Sequence, residues 1–138
     1  MSDAAQRVTD IGPPHYDKFL PPVIKANYGK WKYHEILKPG VMVHVAESGD
    51  EIFTVRGGSP RLLSIDRIRE YADLADKYCD GHLRFTSRHN VEFLLSDKEK
   101  VDPLIADMGA AKIPVGGIGN SITSIVHTQG WVHCHSAA

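Results

Sequence analysis

An α+β domain on a split β-α-β pattern is the fold this sequence predicts, and three observations carry the expectation. β-Branched runs at Val41–Val45 and Ile52–Val55 flank Ser48-Gly49-Asp50, which reads as a hairpin turn. Apolar residues at Ile65, Ile68, Ala72, Ala75 and Cys79 recur at the spacing of one helix face. Two short strands at about 82–87 and 91–95 then meet through a tight connection, Arg88-His89-Asn90, before a second helical stretch.

Residues 1–39 carry no regular signal, because Pro13, Pro14, Pro21 and Pro22 remove backbone donors and push their predecessors toward extended conformations. Yet Tyr16, Phe19, Tyr28, Trp31 and Tyr33 lie there, and aromatic side chains bury large areas. The expectation is an extended aromatic arm lying on its own domain or on a partner subunit. Ser64 is the predicted N-cap of the first helix and Gly81 its stop, with Cys79 a core residue at the helix end rather than a ligand. Ser96-Asp97-Lys98-Glu99 resembles a capping box, and Val101, Leu104, Ile105 and Met108 share a helix face. Pro103 fits only a first turn, which moves the expected start of this helix toward Asp102. Gly116–Gly119 leads to a final strand at Ile122–Val126. From Glu51 onward the order is strand, helix, strand, strand, helix, strand, as in ferredoxin-like folds. The expected division is an arm over 1–39, a ferredoxin-like domain over 40–118 and a further segment over 119–138.

A chain of 138 residues suffices for one modest core. The formal charge of -1 gives no electrostatic reason to expect a nucleic acid or an acidic membrane surface as partner. No apolar run approaches the roughly 20 residues of a membrane span. The start, MSDAAQRVTD, lacks the apolar stretch of a signal peptide, so a cytoplasmic location is expected. Two cysteines, Cys79 and Cys134, make no disulfide framework.

Two constellations could carry chemistry. On a strand, Arg84, Thr86 and Arg88 point to one face, and Arg56 and Arg61 lie at the end of the preceding strand and in its loop. Neighbouring guanidinium groups repel unless something anionic sits over them, and they grip carboxylates and oxyanions well. An anion site and an ordinary solvent-facing strand edge both satisfy this pattern. At the C-terminus an extended chain would put His127, Gln129, Trp131, His133 and His135 on one face and Thr128, Val132 and Cys134 on the other. A thiolate beside imidazoles suits zinc or an iron–sulfur cluster. Consecutive His-Cys-His residues converge poorly on one metal, however, and a single cysteine does not hold a cluster, so an inert terminal strand stays open. Gly116-Gly117-Ile118-Gly119 could cradle phosphate, though a turn is the simpler reading.

Longer motifs add a resemblance. Ile11-Gly-Pro-Pro-His15, Phe19-Leu-Pro-Pro-Val-Ile24, Tyr33-His-Glu-Ile-Leu37, His44-Val-Ala-Glu-Ser-Gly-Asp50 and Ala75-Asp-Lys-Tyr-Cys-Asp-Gly81 are part of it. Leu83-Arg-Phe-Thr-Ser-Arg-His-Asn-Val-Glu-Phe93 and Ile125-Val-His-Thr-Gln-Gly-Trp-Val-His-Cys-His135 complete it. From about Val8 onward the chain resembles the beta subunits of siroheme-dependent dissimilatory sulfite reductases, of the nitrite/sulfite reductase superfamily. That resemblance implies a ferredoxin-like half-domain between an extended arm and the beginning of a siroheme domain. It implies a heterotetramer with an alpha subunit, siroheme and [4Fe–4S] clusters, and a small cysteine-bearing sulfur-carrier protein as partner. The implied chemistry interconverts sulfite and sulfide. Arg56, Arg84, Thr86, Arg88, His127 and Gln129 are then cofactor contacts, Arg88 and Asn90 face the substrate, and Cys134 is the first of four cluster cysteines. His89 stands where the family has Asn, and it is given no role. The other three cysteines would lie beyond Ala138, so the expectation is an incomplete subunit, inactive alone. Ile118 and Ser136-Ala137-Ala138 lean toward the sulfur-oxidising direction. The alternative reading is a free-standing ferredoxin-like module that binds a metal or a partner.

Overall fold

The computed structural model describes residues 16–117. The predicted hairpin is present: β2 (Val41–Ala46) and β3 (Glu51–Gly57) pair antiparallel from Val41 opposite Val55 to Val45 opposite Glu51. Gly49 turns it with φ at 90°, a conformation that a side chain would strain. β5 (Val91–Leu95) pairs with the other edge of β3, and β4 (Leu83–Phe85) closes that side. A strand that sequence reasoning missed lies at the opposite edge. β1 (Trp31–Lys38) pairs antiparallel with β2, so the expectation of no regular element over 1–39 is corrected there. Its period is hard to read because it is an edge strand exposed along nearly its whole length, with no apolar alternation to betray it. The sheet order is β1-β2-β3-β5-β4.

Strand alternation sorts the side chains onto two faces. Val41, Val43, Phe53, Val55, Val91, Phe93 and Leu95 form one buried layer, against which two helices pack. α2 (Ile65–Tyr78) starts at Ser64, whose Oγ accepts from the Arg67 amide at 3.1 Å, as its cap chemistry predicts. The face it buries is rotated from the expected one: Tyr71, Leu74 and Ala75 are covered, so that of the expected stripe Ala75 and Cys79 are buried while Ile65, Ile68 and Ala72 are exposed. Two adjacent stripes of this helix are apolar at helical spacing, and contact with the sheet chooses the one carrying the larger Tyr71 and Leu74. Cys79 is buried as expected, and burial pushes its thiol up to about 12. α3 (Val101–Ala110) follows a short 3-10 turn, Lys98–Lys100. Asp97, rather than the expected Ser96, caps that turn, with Oδ1 accepting from the Glu99 amide at 2.9 Å, while α3 itself starts after Lys100 without a side-chain cap. Pro103 sits in the first turn, where its missing donor is not needed. Val101, Leu104 and Met108 face the core, and Arg67 donates to the carbonyls of Ala111 and Lys112 just past the helix.

Beyond α3 the chain returns to β3. Val115 bridges Gly57 antiparallel, and the Gly116 amide donates to the Arg56 carbonyl at 2.9 Å. This places the return next to β3 beyond the end of β2, the side on which a split β-α-β sheet receives its last strand. The expected strand at 122–126 lies outside the described residues.

The other sheet face carries His34, His44, Thr54, Arg56, Glu92 and Arg84 by alternation. The arm crosses part of it: Leu20, Pro21, Ile24 and Trp31 enclose a pocket with His44, Ile52, Thr54 and Leu94. α1 (Pro22–Ala26) is anchored by the buried Asn27. Its Nδ2 donates to Asp50 Oδ2 at 2.8 Å and its Oδ1 accepts from Ser48 Oγ at 2.7 Å, tying the arm to the β2–β3 turn.

Candidate anion site on the open sheet face

Register brings three charged side chains into one row across adjacent strands. Arg56 on β3 and Arg84 on β4 are both directly opposite Glu92 on the intervening β5. Cross-strand partners on one face lie within side-chain reach, so the pairing follows from the hairpin geometry itself. Glu92 is wholly buried; its Oε2 accepts from Arg56 Nε at 2.5 Å and its Oε1 from Arg84 Nη2 at 2.9 Å. The anion that neighbouring arginines require is therefore supplied in part by the chain. Two cations against one carboxylate leave this row with one net positive charge.

The two arginines of the row line an open hollow together with Phe85, Thr86, Ser87 and Arg88. Four residues picked from the sequence, Arg56, Arg84, Thr86 and Arg88, thus converge on one place. Arg88 reaches it from a turn rather than from the strand expected to run to 87, since β4 ends at Phe85. That turn is tight: the Thr86 amide donates to the Asn90 carbonyl at 2.8 Å, and the Asn90 amide to Thr86 Oγ1 at 3.1 Å. His89 takes φ of 64° at its apex, a left-handed conformation that the Asn of the resembling family also tolerates. Asn90 does not line the hollow; it is buried, and its Nδ2 has no hydrogen-bond partner among the described residues. Arg61 lines a different hollow, together with Leu62, Ile68 and Phe85. His127, Gln129 and Cys134 lie outside the described residues.

Sequence reasoning missed Glu92 and His44. Glu92 was legible in principle, because a short turn between 86 and 90 fixes the register that sets it opposite Arg84. His44 sits opposite His34, ring centroids 5.8 Å apart, with Nε2 3.5 Å from Thr54 Oγ1. Burial holds it below the ordinary histidine value; Glu92 opposes that shift, while His34, Arg84 and Arg56 reinforce it. His44 is therefore a neutral imidazole at neutral pH. Among the described residues no group of three His, Cys, Asp or Glu side chains is arranged to hold a metal. No helix among them is long and apolar enough to cross a membrane.

An antiparallel sheet with two helices on one face and an arginine row on the other is the architecture of a ferredoxin-like half domain. Residues 44–111 match the family described as the nitrite/sulfite reductase ferredoxin-like half domain. The chain is 57% identical over 141 residues to the dissimilatory-type sulfite reductase subunit beta of Nitratidesulfovibrio vulgaris, covering 97% of this chain and 37% of that protein. It is 53% identical to the subunit beta of Megalodesulfovibrio gigas, covering 96% of this chain and 53% of the relative. For the Archaeoglobus fulgidus protein of the same name the identity is 55%, over 94% of this chain and 37% of the relative. The chain belongs to the family of dissimilatory-type sulfite reductase beta subunits. It spans between 37% and 53% of the length of these relatives.

Proposed function

We propose that this chain contributes the anion-positioning part of a siroheme-dependent dissimilatory sulfite reductase beta subunit, which works with an alpha subunit to interconvert sulfite and sulfide. The observation that carries the reading is the convergence of Arg56, Arg84, Thr86 and Arg88 on one hollow. Siroheme has a rim of carboxylates, and the donor set fits it: guanidinium and hydroxyl groups beside a row of net positive charge, on the sheet face opposite α2 and α3. When bound, the siroheme with its [4Fe–4S] cluster supplies the multi-electron chemistry. Arg56 and Arg84 orient carboxylates by their terminal nitrogens. Arg88, which lines the hollow from its turn, is the cation we assign to the substrate anion. Asn90 acts through that turn, whose closing hydrogen bonds hold Thr86 and Arg88 in place.

His127 and Gln129 as further cofactor contacts, and Cys134 as a cluster ligand, complete the proposal from motif resemblance alone. The same holds for the small sulfur-carrier partner, the heterotetrameric assembly and the cytoplasmic location. The residues of the hollow serve either direction of the reaction, and the lean to the sulfur-oxidising direction rests on Ile118 and Ser136-Ala137-Ala138.

Siroheme content tests the reading. In the full-length beta subunit co-produced with its alpha subunit, Arg84→Ala is expected to lower siroheme absorbance per complex about tenfold, by loss of a charge-assisted contact. Because Arg84→Ala also removes two of the three hydrogen bonds to the buried Glu92, siroheme is counted per folded complex. A variant with full siroheme content would sink the reading.

A further inference from the structure

The inference concerns Glu92 and rests on the anion-binding reading of the hollow. Its carboxylate takes Arg56 through Nε at 2.5 Å and Arg84 through Nε at 3.2 Å and Nη2 at 2.9 Å. Arg56 Nη1 is committed as well, to the Gly117 carbonyl at 3.2 Å. Among the described residues, Arg56 Nη2 and Arg84 Nη1 make no hydrogen bond. The Nε edge of Arg84, where a carboxylate or oxyanion would dock with two parallel hydrogen bonds, is therefore filled from below. Glu92 also lies between the two guanidinium groups, where a small anion bonded to both would have to sit. It is wholly buried and held by three charge-assisted hydrogen bonds. A competing anion would have to displace it from both arginines at once and leave its charge without a partner.

We propose that Glu92 is a positioning and specificity residue. It holds Arg56 and Arg84 apart by their inner N–H groups and leaves the outer ones, including Arg56 Nη2 and Arg84 Nη1, to the spaced carboxylates of one large ligand. It also denies a small tetrahedral or pyramidal oxyanion a seat shared by both. In this arrangement the substrate anion is met by cations other than this pair.

The test uses the assembled full-length enzyme prepared without cofactor, with sulfate as the probe for calorimetry and selenate as its anomalous-scattering counterpart in crystals. Glu92→Gln adds one net positive charge to the row and replaces the carboxylate by an amide that no longer holds either guanidinium by charge, so an anion can compete for the shared seat. Sulfate is expected to bind that variant about tenfold more tightly than the wild type. Selenate should appear between Arg56 and Arg84 in the variant only. Glu92→Asp keeps the charge and is expected to restore the weak sulfate affinity. A residue needed only for folding would change the melting temperature but not this order of affinities. Equal sulfate affinity in a folded Glu92→Gln enzyme overturns the proposal. Should that variant fail to fold, the wild-type crystals decide: no selenate bonded to both arginines supports the proposal, and a selenate bridging them with Glu92 displaced overturns it. Failure here is distinct from failure of the cofactor reading, which turns on the siroheme content of Arg84→Ala.

Discussion

At the scale of single residues, His44 shows how a strand position becomes a chemical one. Nothing in the run Val41-Met-Val-His-Val45 distinguishes its histidine from any polar residue on an alternating strand. On the folded sheet it faces His34 from β1, Thr54 from β3, Glu92 from β5 and Arg84 from β4, with Arg56 also contributing. Its folded-state value lies below the ordinary 6.5, chiefly because burial disfavours the imidazolium. The unfolded chain therefore binds a proton that the native state resists as pH falls. The stability this represents is present above the unfolded value and is lost as pH drops below it. Urea midpoints measured from pH 7 down to pH 5 should fall more steeply for the wild type than for His44→Gln. Parallel slopes would show that His44 is not a source of the acid sensitivity.

Among elements, α2 shows what periodicity can and cannot say. Its cap at Ser64 and its length agreed with local chemistry, because capping depends on residues three apart in the chain. Its rotation did not, because Ile65, Ile68 and Ala72 offered a stripe as regular as the one that is buried. Substitution distinguishes the two. Leu74→Ala should cost about 2–3 kcal/mol, through lost burial and a cavity beneath the helix. Ile65→Ser and Ile68→Ser, both on the exposed stripe, should each stay within about 0.5 kcal/mol. Chemical denaturation of the three variants checks the order, and a large loss at Ile68 would contradict the observed rotation.

For the whole molecule, the region around Gly40 joins three segments distant in sequence. Its carbonyl accepts from the Arg56 amide at 2.8 Å, while the returning chain at Val115 and Gly116 packs against its α-carbon. A Cβ at Gly40 would lie 2.6 Å from Val115 Cγ1 and 2.7 Å from the Gly116 amide nitrogen, at a φ of 80°. Gly49 has a similarly left-handed φ of 90° but nothing within 4 Å. Gly49→Ala should therefore cost about 1 kcal/mol, the backbone penalty alone. Gly40→Ala should cost about 3 kcal/mol or more, since a backbone atom must also move. Thermal melts of the two variants test whether the return past β3 is a fixed part of the domain. Equal losses would show that the seam gives way freely.

Local chemistry was enough to determine the β2–β3 hairpin, helices α2 and α3, the β4–β5 connection and the arginines worth watching. Each of these depends on residues within a turn or two of one another, where a cap, a glycine or an alternating strand leaves its mark. The edge strand β1, the rotation of α2 and the pairing at Glu92 were decided only by tertiary structure. β1 gains its hydrogen bonds from β2 and shows no buried face of its own. α2 turns the stripe that fits the sheet. Glu92 matters because strand register, a relation between segments, sets one carboxylate between guanidinium groups from two other strands. The split β-α-β pattern with its arginine strand was thus present in the chain from the start. What the fold added is that the strand is already half neutralised from within, so its charge is arranged before any ligand arrives.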